Sequence, residues 1–161
     1  MKNFFIGIFI GGILGVVGGF AGGIFVFPYL FPPPPGNEVV DGKTSGEIVA
    51  TGMFIHANPS DPVHYGKGRV SVYPKVLHLE TDFEVGPGPK FHVYLVPQAD
   101  IMPATRVQET MFIDLGQLKA FSGSQNYPIP DGVDLKRYKS VVIWCEQFSV
   151  LVSPALLQFT S

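Results

Sequence analysis

Cys145 and Trp144 stand side by side in "SVVIWCEQFSV", and each is the only residue of its kind in the chain. A thiol can act as a redox nucleophile or metal ligand once it becomes a thiolate. An indole beside it can relay an electron or simply fill a core. Four histidines, His56, His64, His78 and His92, are the other soft donors. One Cys with two His and a weak axial Met would make a cupredoxin-like copper site. Such sites draw their Cys, His and Met from one tight C-terminal loop. No His or Met follows Met111, so that loop is absent. There is no C-x-x-C-H, which excludes covalent c-type haem. No complete metal-ligand spacing is present along the sequence; histidine ligands drawn from distant strands stay open, and the identity of any cofactor is left unknown. "FSGSQ" lacks the second glycine of a nucleophile elbow, and there is no phosphate loop, so nothing points to an enzyme.

The elements that must carry these residues are mostly strands. In "SVVIWCEQFSV" one face holds Val141, Ile143, Cys145 and Gln147, and the other Val142, Trp144, Glu146 and Phe148. Apolar residues on both faces predict a central strand covered on both sides, with Glu146 and Gln147 marking a bulge or an opening to solvent. A buried free cysteine packs as a small hydrophobe and is inert. A lone cysteine outside the cytoplasm instead lacks a partner and invites a reactive role. Both readings of Cys145 stand at this level. His64 precedes the turn "HYGKG" and reads either as a ligand or as a hydrogen-bonding loop residue. Trp144 and His64 are the weaker cofactor-binding candidates. His78 and His92 lie within strands and read as surface or edge residues. Tyr127 and Gln125 in "GSQNYPIP" suit a hydrogen-bonded loop clasp.

Alternation and turn residues predict about eight strands, in "EIVATGMFIH", "GRVSVYP", "KVLHLETDF", "FHVYLV", "TMFIDLG", "QNYPI", "KSVVIWC" and "QFSVLVS". Their spacing suggests a β-sandwich-like domain, over residues 46–161. "DGVDLKRY" suits one helical turn capped by Asp131.

Ahead of the strands lies a different kind of chain. From Phe4 to Phe31 there is no charged residue. That run exceeds the roughly 20 residues that cross a bilayer core of about 30 Å. It lacks an A-x-A cleavage signal, so residues 1–31 are expected to stay as a single transmembrane anchor. Lys2 and the α-amino group favour a cytoplasmic N-terminus, with the β domain facing a periplasm, a lumen or the exterior. Gly7, Gly11, Gly15, Gly19 and Gly23 recur every fourth residue. Small residues on one helix face admit another helix closely, so a second copy or another membrane protein is the expected partner. "PPPPG" within residues 32–45 reads as a stiff polyproline spacer followed by a polar linker. Beyond Lys2 the chain holds ten basic and thirteen acidic residues, without the basic clustering that nucleic acid would need.

The segment "DLGQLKAFSGSQNYPIPDGVDLKRYKSVVIWCEQFSVLVSPALL" resembles the DM13 family, through its D-L-G-x-L-K, G-x-Q-x-Y-x-I-P and S-V-V-I-W-C-x-x-F-x-V elements. "GMFIHANPSDPVHYGKGRVSV" and "GPKFHVYL" extend the resemblance over about Gly46 to Leu157. The link "VYPKV" is shorter than family members often carry. The resemblance implies a β-rich extracytoplasmic electron-transfer domain in which Cys145 is redox-active or holds a prosthetic group. The glycine-faced helix and the missing cofactor constellation favour an alternative. In that alternative the chain is a non-catalytic accessory subunit docked in a respiratory or photosynthetic membrane complex.

Overall fold

The computed structural model describes residues 2–41 and 45–160 and divides into two compact units, Met1–Pro32 and Pro33–Ser161. The first is one helix, α1 (Lys2–Leu30), with Pro28 in its last turn. At 1.5 Å per residue it is about 43 Å long. Its stretch Phe4–Ile24 is long and apolar enough to cross a membrane, and none of it is buried within the chain. A Cβ added at Gly7, Gly11, Gly15, Gly19 or Gly23 would meet nothing within 4 Å. Taken by itself, the helix is apolar and has no covering partner within its own unit, which in water would leave a large surface uncovered.

The second unit is mainly β. Its strands are β1 (Gly36–Asn37), β2 (Ala50–Phe54), β3 (Gly66–Val72), β4 (Val76–Leu79), β5 (Glu84–Val85), β6 (Phe91–Val96), β7 (Ile113–Gln117), β8 (Gly123–Pro128), β9 (Ser140–Cys145) and β10 (Val150–Phe159). They form one sheet in the order β1-β8-β4-β3-β2-β10-β9-β6-β7, with β5 paired to β3. All pairings are antiparallel except β1 with β8. The sheet curls into a half-barrel. Lys119 and Ala120, just after β7, donate their backbone N–H groups to the Gln125 side chain on β8, which brings the two ends of the order together.

The curl gives the sheet an inner face with the main core. Phe54, Val70, Leu79, Phe83, Val93, Ile143 and Cys145 are among its residues. A smaller cluster lies on the opposite face of β6 and β9. There Tyr94, Val96, Val142 and Trp144 pack with Ile101 and Val107 from the β6–β7 connection. β9 is thus covered on both faces, and all six of its residues are buried. This is the doubly covered strand that the apolar run predicts.

Several local expectations are corrected. The segment after the prolines is not all linker. β1 pairs with β8 at Gly36↔Gly123, and Glu38 accepts bonds from Lys119 Nζ and the Asn126 N–H. The pairing needs two glycines: a Cβ on Gly36 would lie 2.5 Å from the Ser124 carbonyl oxygen, and Gly123 has φ 83°. The short helical turn is a 3₁₀ turn, Leu135–Arg137, capped by Asp134 and not by Asp131. Asp131 instead pairs with Lys75 at 3.0 Å. β10 runs on through Pro154 to Phe159, where proline suggests a stop. A bulge between Leu151 and Ser153 resets the ladder just ahead of it.

Candidate functional site

Cys145 is the last residue of β9, opposite Phe91 on β6. It has no exposed surface. Its Sγ donates to the Pro89 carbonyl at 3.4 Å. Burial pushes the thiol above its ordinary pKa; backbone N–H groups of Phe148 and Gln147 pull weakly the other way. Those donors come from the turn Glu146–Ser149, which ends with Ser149 at φ 52°. A thiol kept protonated and shielded by two turns is a poor nucleophile and a poor ligand.

Trp144 points to the other face and is 3 % exposed. Its Nε1 has no hydrogen-bond partner, the one such buried side-chain atom among the described residues. The indole serves as apolar bulk in the smaller cluster.

His64 does not approach the thiol through its bonds. Its Nδ1 lies 2.7 Å from Asp61 Oδ2, and the other Asp61 oxygen accepts the N–H groups of Val63 and His64. Burial would raise the Asp61 pKa, but the His64 ring and these two N–H donors outweigh it and bring it down to about 2. His56 Nε2 lies 2.8 Å from the Asp61 carbonyl oxygen. This knot fixes the loop leading into β3. The clasp at Gln125 and Tyr127 forms as expected. Gln125 is fully buried, its Oε1 accepts from the backbone of Lys119 and Ala120 and from the Tyr127 hydroxyl, and its Nε2 donates to Ala120.

Neither His78 nor His92 is on a sheet edge. His78 is buried on β4, between β3 and β8, with Nδ1 2.6 Å from Asn126 Oδ1. His92 lies on β6, between β9 and β7, and joins a cluster not anticipated from sequence. Its Nδ1 is 3.0 Å from Asp114 Oδ2, and its Nε2 is 3.5 Å from Glu146 Oε2. The Tyr94 hydroxyl donates to Glu146 Oε1 at 2.8 Å. A bulge between β6 and β7 makes this meeting happen. His92 pairs with Gln117 but Tyr94 with Asp114, so β7 carries an extra residue there, and Gly116 takes φ 118°. Its N–H then donates to Asp114 Oδ1 at 2.8 Å. Alternation does put His92 with Tyr94, and Trp144 with Glu146. The register pairing His92 with Trp144 is what makes those faces one.

Fold and residues together define a half-barrel β domain that follows a long apolar helix and keeps its single thiol in the core. The family model "Electron transfer DM13" matches residues 59–157, and the chain belongs to the DM13 family. No curated protein and no solved structure matches the chain.

Proposed function

We propose that this chain is a single-pass membrane protein whose DM13 domain lies outside the cytoplasm as an accessory part of an electron-transfer membrane complex. The observation that carries the reading is α1, apolar over Phe4–Ile24 and with a glycine face left open within its own unit. Glycines at that spacing allow backbone-to-backbone packing against a neighbouring membrane helix, and lipid alone gives no reason for them. The family description supplies the link to electron transfer. Burial of Cys145 favours a packing role over redox catalysis by the thiol. A second reading keeps Cys145 as the redox centre. The Phe148 and Gln147 N–H groups directed at its sulfur favour it, since such donors stabilise a thiolate.

The test of docking is Gly11→Leu with Gly15→Leu, placing bulk where a partner backbone would approach. The double variant should still insert in the membrane but lose the helical partner that copurifies with the wild-type chain in mild detergent. Equal copurification of both would remove the docking proposal.

A further inference from the structure

We infer that His92 and Glu146 bind one divalent first-row transition ion, with Asp114 orienting the imidazole. The site lies on the face of β6 and β9 opposite the thiol. It does not depend on whether the chain docks as an accessory subunit. His92, Asp114 and Glu146 each place a donor atom within 4.8 Å of the other two. Asp114 takes the Nδ1 side of the ring, at 3.1 and 3.0 Å from its two oxygens. A carboxylate on one ring nitrogen is the usual support for a histidine whose other nitrogen ligates a metal. With the proton on Nδ1, the Nε2 lone pair faces Glu146 Oε2 at 3.5 Å. Unless the ring takes a second proton, two acceptors then face each other at this distance. A cation in that gap removes the conflict.

The dimensions fit. Bonds of about 2.0–2.2 Å to nitrogen and oxygen put two ligands of one ion roughly 3.0–3.5 Å apart. The observed gap is already at that separation, so little movement is required. Both carboxylates are held by their other oxygens, Asp114 by the Gly116 N–H and Glu146 by the Tyr94 hydroxyl. Tyr94 is in turn stacked on Phe112 with ring centroids 4.4 Å apart. The ligand arms therefore project from a braced support. Among the described residues, no lysine or arginine forms a salt bridge with Asp114 or Glu146, and the one basic side chain beside them is His92. Side-chain exposures of 17 % for His92, 33 % for Glu146 and 38 % for Asp114 leave room for water to complete the coordination. One imidazole with carboxylate and water suits Zn²⁺, Mn²⁺ or Fe²⁺ rather than a soft ion such as Cu⁺.

The experiment uses the full chain in detergent, stripped of metal by chelation. Zn²⁺ is titrated by calorimetry and Mn²⁺ by electron paramagnetic resonance. One ion per chain should bind, and Zn²⁺ should raise the melting temperature. His92→Asn and Glu146→Gln should each weaken binding by at least tenfold, and Asp114→Asn by about 10–100-fold through loss of ring orientation. His64→Ala and Cys145→Ala should leave it unchanged. Melting curves of the metal-free variants establish that they fold, and Glu146→Gln keeps an oxygen for the Tyr94 hydroxyl. Absence of saturable binding overturns the assignment. So does binding that survives in folded His92→Asn or disappears in His64→Ala or Cys145→Ala.

Discussion

Replacing Cys145 by alanine separates a packing thiol from a working one. The side chain has no exposed surface and sits in the main core among Phe91, Ile143 and Val152. Deleting Sγ removes one heavy atom, about the size of a methylene, worth about 0.8 kcal/mol in transfer. The space left behind, on the order of 20–25 Å³ at about 24 cal/mol per Å³, adds roughly 0.5 kcal/mol. The Pro89 carbonyl also loses a weak donor. The sum is about 1–2 kcal/mol, or roughly 4–7 °C in melting temperature for a domain of this size. Native alkylation gives a second reading. If the thiol reacts only in opened molecules, an opening free energy of about 4–5 kcal/mol slows labelling on the order of 10³-fold relative to the unfolded chain. The assay is iodoacetamide labelling followed by mass spectrometry, with thermal melting of wild type and Cys145→Ala in the same detergent. Labelling of the folded chain near the unfolded rate would refute the packing argument. So would an unchanged melting temperature joined to loss of electron transfer.

Two further outcomes follow from the polar groups. Gln125→Ala strands the Ala120 N–H and leaves the Tyr127 O–H without an acceptor at a buried site where the sheet ends meet, while the Lys119 N–H keeps the Tyr127 oxygen, and it should cost about 2–4 kcal/mol by chemical denaturation. Asp61 contributes to pH dependence with a definite sign. Its carboxylate titrates at about 2 in the folded chain, against about 3.9 when unfolded, so its stabilisation is present above pH 4 and is lost as pH falls towards 2. Asp61→Asn should therefore flatten the loss of stability between pH 4 and 2, as read from melting temperatures across that range.

How far the chain can be read without its structure depends on the range of the interactions involved. Alternation and turn residues are local, and they locate the strands of the sheet that carry Cys145, His92 and Gln125. β1 and β5 escape because each is two residues long and shows no alternation; pairing with a distant strand is all that defines them. Asp134 caps the 3₁₀ turn where Asp131 also fits the pattern, since both acids precede an apolar residue within a few positions. The His92 cluster depended on two non-local facts. One is the register that sets β6 beside β9, and the other is the bulge that brings Asp114 to the His92 side of the sheet.

The same register separates the two kinds of chemistry in the domain. On β6, Phe91 sits opposite Cys145 and His92 opposite Trp144, so neighbouring residues of one strand face different environments. The thiol meets only the core and the turns above it. The imidazole meets carboxylates, a tyrosine hydroxyl and solvent. A reagent, ion or protein partner approaching this side of the sheet therefore encounters His92, Asp114 and Glu146 before the thiol. Reaching Cys145 requires displacement of the turns at Pro89 or at Glu146–Ser149. Glu146 belongs to both regions: its side chain lies in the polar cluster, and its N–H donates to the Lys90 carbonyl at 3.1 Å beside the thiol. A ligand drawing on the Glu146 carboxylate would thus brace the turn that covers Cys145. Saturating Zn²⁺ should slow alkylation of Cys145 in the wild-type chain and leave the rate unchanged in Glu146→Gln. Equal slowing in both chains would break this link between the polar face and the buried thiol.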